Sequence, residues 1–325
     1  MPANYSHKFC VAPMLGLTDR HCRFFMRLLS KNALLYTEMV VTNAILCGKA
    51  ENLLQFNACE QPLALQLGGS NQQDLAACTK IAAKLNFSEV NLNVGCPSSR
   101  VQMQEIGACL MLKPQKVASC LDAMQNAADI PITIKHRIGV DDMQSYASLR
   151  DFVGICSETG VKVFIVHARC ALLKGLSPKD NRQIPPLKYE FAARLKQDFP
   201  HLKIILNGGI SNIDDCAKHL ELLDGVMLGR AAYHQPYLLA QVDNALFSAK
   251  TKAANRAQIM QQLQPYIEKH LAKGGKINQI TRHILGLAHS LPCARKFRQI
   301  LSADLAKNPY DLSLFERATE LLENY

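Results

Sequence analysis

Eight short β-rich runs, each ended by Gly, Pro or a polar residue and separated by helical text, constrain this chain more than anything else in it. They are KFCVAPM from Lys8, LLYTEMV from Leu34, LALQLGG from Leu63, EVNLNVGC from Glu89, ITIKHRIG from Ile132, VFIVHAR from Val163, KIILNGG from Lys203 and GVMLGR from Gly225. Between most of them lie roughly 15–30 residues with helical apolar periodicity, such as NQQDLAACTKIAAKL and KPQKVASCLDAMQNAA. Helix starts are signalled by Asp19 near the first, Ser70 before the third, and Asn212 with Asp215 before the seventh. The alternation predicts an α/β chain folded as a parallel (β/α)8 TIM barrel. A doubly wound open sheet competes, but no G-x-G-x-x-G follows the first strand, where a dinucleotide-binding sheet would carry it.

Barrels of this kind build their sites at the C-terminal ends of the strands. Here those ends are Pro13-Met14, Glu38, Gln66, Asn93 with Cys96, Lys135, His167 with Arg169, Asn207-Gly208-Gly209 and Gly229-Arg230. A purely structural barrel has little reason to place Gln, Asn, Lys and His there, so the pattern predicts an enzyme. Cys96, held between Gly95 and Pro97 just past a strand end, is expected to face a cavity. Gly208-Gly209 and Gly229-Arg230, after strands seven and eight, predict a phosphate site built from backbone N–H groups and one guanidinium. Lys135 sits in an apolar strand and is costly to bury without an anion. It is either the structural partner of a barrel carboxylate such as Glu38 or a fixed cation beside a ring that becomes electron-rich. His167 is either a satisfied core histidine or a hydrogen-bond donor to a ligand.

The 325 residues suffice for a barrel of about 250 residues and a smaller unit. After Asp243 the strand-like runs stop, so residues 1–245 are expected to form the barrel and 246–325 a small all-helical domain. That last stretch carries 12 Lys+Arg against 6 Asp+Glu, net +6 of the chain's +10. Such a basic quarter predicts a polyanionic partner, nucleic acid first. Arg282, His283, Arg295, Lys296 and Arg298 fall on two neighbouring predicted helices. With no Trp in the chain, that face should grip phosphates rather than stack bases. Twelve cysteines without a C-x-x-C pair or His clustering read as reduced thiols, with no metal site. No apolar run approaches the roughly 20 residues of a membrane span. The opening MPANYSHKFC has no signal core, so a cytoplasmic protein is expected.

The stretches APMLGLTDRHCR, LLYTEMV, ALQLGGS, NLNVGCPSSRVQ, GACLM, IKHRIGVDD, FIVHAR, GLSPKDNRQIPPL, NGGI, DGVMLGRAAY and HILGL resemble, in order, the tRNA-dihydrouridine synthase family. GLSPKDNRQIPPL and HILGL resemble its DusA branch in particular. The resemblance implies an FMN enzyme that reduces the C5–C6 bond of tRNA uridines 20 and 20a, with NADPH as electron source; a monomer is expected. It implies that Pro13 and Met14 flank the flavin ring, and that Gln66, Lys135 and His167 contact it, with Lys135 at the N1–O2 edge. Asn207, Gly208, Gly209, Gly229 and Arg230 would hold the phosphate end. Cys96 matches the proton donor. Asn93 would meet the uracil edge, Asn181 and Arg182 would orient the RNA, and Arg295 and Arg298 would take its phosphates.

Two rivals stand beside this reading: a flavin barrel acting on a free pyrimidine, as dihydroorotate dehydrogenases do, and a tRNA-binding module that has lost catalysis. Cys96, Lys135 and His167 argue against the loss. The chain departs from the family pattern at Gly16-Leu17, where Asp-Trp is usual, and at Met103–Ile106, which replaces an Asn-Gly turn. Cys170 and Leu172 stand where Lys and Trp are common. These departures bear on substrate fit and loop closure.

Overall fold

A computed structural model describes residues 5–48, 53–250 and 253–325. All eight runs form strands: β1 (Phe9–Val11), β2 (Leu35–Val41), β3 (Leu63–Gly68), β4 (Glu89–Val94), β5 (Ile132–Arg137), β6 (Val163–His167), β7 (Lys203–Asn207) and β8 (Gly225–Leu228). They pair in parallel in the order β1-β8-β7-β6-β5-β4-β3-β2. The ring closes where Val11 N–H donates to Leu34 O at 2.9 Å and Leu34 N–H to Phe9 O at 3.0 Å. The TIM barrel expected from the alternation is what forms.

Strand alternation sorts the side chains. On β4, Val90, Leu92 and Val94 join the apolar layer beneath the helices, leaving Glu89, Asn91 and Asn93 to the barrel interior. A separate interior cluster contains Cys10, Leu34, Tyr36, Ala64, Ile165, Ile205 and Met227. Asp19 caps the helix Arg20–Leu29, accepting the N–H groups of His21 and Cys22 at 2.9 and 3.0 Å. Asn212 caps Ile213–Leu220 through Asp215 N–H at 2.8 Å. Ser70 is not the cap expected of it. The helix Gln72–Lys84 begins one residue later, and Asn71, as good a cap as Ser, accepts Asp74 N–H at 3.0 Å.

Beyond β8 the chain is helical: Leu239–Phe247, Arg256–Leu271, Ala294–Gln299 and Leu312–Glu320, with a π-helical turn at Ile300–Asp304. Met260, Leu263, Ile280, Phe297 and Phe315 belong to one apolar cluster with Phe25 and Met26 of the first barrel helix. Tyr266 stacks on Phe24 with ring centroids 3.9 Å apart. The run QITRHILGLAHSL gives one helical turn, Asn278–Thr281, and then irregular turns, within which Gly286 packs its backbone against His234 O. Two cations expected to grip phosphates are engaged within the protein. His283 is 2% exposed, and Arg282, though exposed, pairs with Asp19 at 2.5 Å. Arg295, Lys296 and Arg298 remain exposed and form no ion pair among the described residues. Among those residues no helix is long and apolar enough to cross a membrane.

Candidate active site

A polar column rises through the barrel interior. At its base Glu89 is fully buried and accepts the hydroxyls of Tyr5, Tyr36 and Thr133 at 2.9, 2.7 and 2.9 Å, with His7 Nε2 at 2.7 Å. Burial alone would raise its pKa. The His7 charge and hydrogen bonds from His7, Tyr36 and Tyr5 win, and hold the carboxyl below the usual range. Above it Asn91 donates to Thr133 Oγ1 at 2.9 Å, Gln66 to Asn91 Oδ1 at 2.8 Å and Asn93 to Gln66 Oε1 at 2.8 Å.

At the top Asn93 Oδ1 accepts the backbone N–H groups of Gly95 and Cys96 at 3.1 and 3.0 Å. The same loop is clamped from behind, where Ala108 N–H donates to Cys96 O at 2.8 Å. Gly107, at φ +79°, lies so close that a Cβ there would sit 2.5 Å from Cys96 O. Cys96 is left as a half-buried free thiol. One N–H of each of Asn93 and Gln66 is left for a ligand, so both do more to build the floor than to read a base.

Around this loop stand Lys135, Arg137, Arg169, Arg182 and Arg230, none paired with a carboxylate among the described residues. The structural option for Lys135 is excluded, since Glu38 instead accepts Gly16 N–H. Burial, then the neighbouring Arg137 guanidinium, pull the Lys135 ammonium down to about 7. His167 is pushed well below its ordinary value by burial and by Arg137 and Lys135, so its imidazole is neutral. Its Nδ1 is buried without a partner, as is Arg169 Nε. A satisfied core histidine would not leave that nitrogen empty.

Gly208 and Gly209, at φ +108° and +78°, turn the chain under His167, and a Cβ on Gly208 would lie 3.1 Å from the imidazole. Tyr189 OH donates to Gly208 O at 2.8 Å, and Asn207 Nδ2 to Met227 O at 2.7 Å. Gly229 faces Met14, whose Sδ would be 3.5 Å from a Cβ there. Half-buried Met14, next to Pro13, thus lies beside Gly229 at the start of the helix Arg230–His234, and Arg230 Nη2 donates to Arg182 O at 3.2 Å. Pro13, Met14, Asn207, Gly208, Gly209, Gly229 and Arg230 all lie at or just beyond the C-terminal ends of the barrel strands.

Asn181 is a correction. It is fully buried; its side chain accepts Leu172 N–H at 2.8 Å and donates to Leu172 O at 2.9 Å, so it folds its own loop and offers RNA nothing. Arg182 beside it is exposed. Arg137 was missed. It is 4% exposed and donates to Gly95 O at 3.1 Å, Cys170 O at 3.0 Å and Asn181 O at 2.7 Å, tying the Cys96 loop to the loop after β6. Its signal was its place two residues after Lys135, on the same face of β5.

The unusual loop 103–106 divides its tasks. Ile106 is buried, Met103 is 79% exposed, and Glu105 at φ +52° pairs with Lys113 and Lys116 at 3.1 and 3.0 Å. A cavity of about 720 Å³ lined by His7, Thr133 and Lys162 opens at the opposite end of the barrel and holds none of the strand-end residues.

Fold and mouth together define a (β/α)8 barrel whose strand ends gather a half-buried thiol and cations that have no carboxylate partner among the described residues. Residues 10–319 match the family described as Dihydrouridine synthase (Dus), and the chain belongs to that family. It is 57% identical over 318 residues to the tRNA-dihydrouridine(20/20a) synthase of Pseudomonas putida, covering 98% of this chain and 95% of that one. Proteins of the same description from Vibrio vulnificus and Salmonella typhi are 52% and 49% identical, covering 97% and 98% of this chain and 96% of each relative.

Proposed function

We propose that this protein reduces the C5–C6 double bond of uridines 20 and 20a in the tRNA D-loop to dihydrouridine, with FMN as cofactor and NADPH as electron donor. The observation that carries the reading is the Cys96 loop, fixed by Asn93 and Gly107 beside cations that have no carboxylate of their own.

The mouth suits FMN on its own chemistry. The empty Nδ1 of His167 and the unpaired Lys135 are groups that a flavin ring can satisfy. The glycines at 208, 209 and 229 leave backbone room for a phosphate, with Arg230 at its side. Pro13 and Met14 would flank the ring, Gln66, Lys135 and His167 would contact it, and Asn207 would border the phosphate end. When bound and reduced by NADPH, FMN supplies hydride to C6 of the uracil.

The chain's residues do the rest. Cys96 Sγ gives a proton to C5. A thiol is protonated at neutral pH yet acidic enough to release its proton to carbon. Asn93 holds that thiol's backbone still, and its spare N–H meets the uracil edge. Lys135 keeps a positive charge where negative charge collects on the ring. A uridine stacked inside folded tRNA is out of reach, so the base is extruded into the mouth. Exposed Arg182 orients the strand, and residues 246–325 grip backbone phosphates with Arg295 and Arg298.

The test uses purified protein, NADPH and unmodified tRNA, with dihydrouridine mapped by position and free uridine as a second substrate. Dihydrouridine at 20 and 20a in tRNA alone is expected. Turnover of the free base with tRNA untouched would overturn the reading.

A further inference from the structure

Arg282 and the segment HILGL, His283–Leu287, fasten the C-terminal segment to two places at the barrel mouth at once, the loop that ends at Asp19 and the short helix Arg230–His234. The first anchor is Asp19. Its Oδ1 caps the helix Arg20–Leu29, while its Oδ2 accepts from Arg282 Nη2 at 2.5 Å and lies 3.1 Å from His283 Nε2, to which Arg282 Nε donates at 3.0 Å. Asp19 ends the loop that carries Pro13 and Met14, and that loop is itself locked. Met14 N–H donates to Thr18 Oγ1, and Thr18 N–H to Met14 O, both at 2.9 Å.

The second anchor is Tyr233, three residues after Arg230, whose hydroxyl lies 3.1 Å from His283 Nδ1 and donates to Arg282 O at 3.4 Å. A third contact is steric. A Cβ on Gly286 would fall 2.2 Å from His234 O, so the two backbones touch. One buried imidazole therefore spans the Asp19 loop, beside the ring end of the proposed cofactor site, and the helix Arg230–His234, beside its phosphate end.

We infer that Asp19, Tyr233 and His283 are positioning residues that set the RNA-gripping helices at a fixed angle to the mouth. Phosphates held at Arg295 and Arg298 then bring the extruded uridine over Cys96. The inference rests on the tRNA reading above. It separates grip from placement: with the clasp opened, RNA still binds, but the base arrives out of register, and an error of about 1 Å can cost 10²-fold in rate.

Asp19→Asn tests this, because it keeps a helix-capping oxygen and removes the charge that Arg282 and His283 grip. In the FMN-loaded protein, single-turnover dihydrouridine formation should fall about tenfold or more. The tRNA dissociation constant should stay within about twofold, and NADPH oxidation by oxygen should be unchanged. Asp19→Glu, which restores the charge, should recover most of the rate, and Tyr233→Phe should show a smaller loss of the same kind. An unchanged rate in Asp19→Asn and Tyr233→Phe overturns the proposal, as does a loss matched one for one by weaker tRNA binding. Asp19→Glu as impaired as Asp19→Asn also overturns it. Wild-type protein that leaves tRNA unreduced overturns the tRNA reading and this inference with it, whereas an active wild type beside an equally active Asp19→Asn overturns the inference alone.

Discussion

Asn93 Oδ1 accepts the backbone N–H of Cys96 at 3.0 Å, while Asn93 Nδ2 donates to Gln66 Oε1 at 2.8 Å. The proposed acid is thus tied to the barrel interior through one amide. Replacing Asn93 by Ala strands the Gly95 and Cys96 N–H groups and leaves Gln66 Oε1 buried without its donor. Unmade bonds of this kind cost roughly 1–3 kcal/mol each when buried. Urea unfolding of Asn93→Ala should show a loss of about 2–4 kcal/mol, with a lower rate of dihydrouridine formation because the loop is no longer fixed.

Cys96→Ala removes the acid and leaves the loop hydrogen bonds in place, since they run through backbone atoms. General acid catalysis contributes about 10²–10⁴-fold. Single-turnover reduction of tRNA should slow by that order, with flavin content and Tm near wild type. A rate equal to wild type would remove Cys96 from the mechanism.

Lys135→Met should move stability and function in opposite directions. The folded amine titrates at about 7, below the roughly 10.4 of an unfolded lysine. Between those values the unfolded chain holds a proton that the folded chain lacks, so apoprotein stability rises with pH across that window. Removing the amine should flatten this slope and stabilise the apoprotein by about 1–3 kcal/mol near pH 6, where the buried charge is most costly. The same change should weaken FMN retention, read from the dissociation constant in titration of apoprotein.

The strands were legible because each begins and ends with a change of residue class, and β3 to β8 start at the residues where the runs start. Strand-end chemistry was legible for the same reason: polar side chains interrupt apolar runs. What escaped was the use made of the inward faces. Glu89, Asn91 and Asn93 alternate with Val90, Leu92 and Val94, and the alternation alone does not reveal that the polar half bonds across to Gln66 and Thr133 to build the column. Asn181 misled because a loop asparagine in a motif looks available, and only its hydrogen bonds to Leu172 show that it is consumed. Arg282 and His283 looked like basic surface, because sequence spacing gives no sign of Asp19, more than 260 residues away.

Glu89 should make the barrel acid-sensitive. Its folded pKa is depressed, so the stability it contributes is present above the unfolded value of about 4.3 and is lost as pH falls through the folded value. Glu89→Gln should flatten the acid side of a Tm-against-pH profile. Near neutrality the same variant should be less stable by about 1–3 kcal/mol, because Tyr5, Tyr36, Thr133 and His7 lose the buried carboxylate they bond to. An unaltered profile would show that the carboxylate is not what the lower end of the barrel depends on.

Arg295 and Arg298 are exposed on the helix Ala294–Gln299 and share no ion pair among the described residues, so their charge is free to meet phosphates. Each phosphate contact releases condensed counterions and adds about 0.7–0.9 to the slope of log K against log salt. Reversing both, Arg295→Glu with Arg298→Glu, should weaken tRNA binding most at low salt and reduce that slope by about 2. FMN affinity and Tm should stay near wild type, because neither side chain touches the barrel mouth or the core. An unchanged slope would move the RNA grip away from this helix and leave the cations at the mouth, Arg182 and Arg230 among them, to hold the substrate.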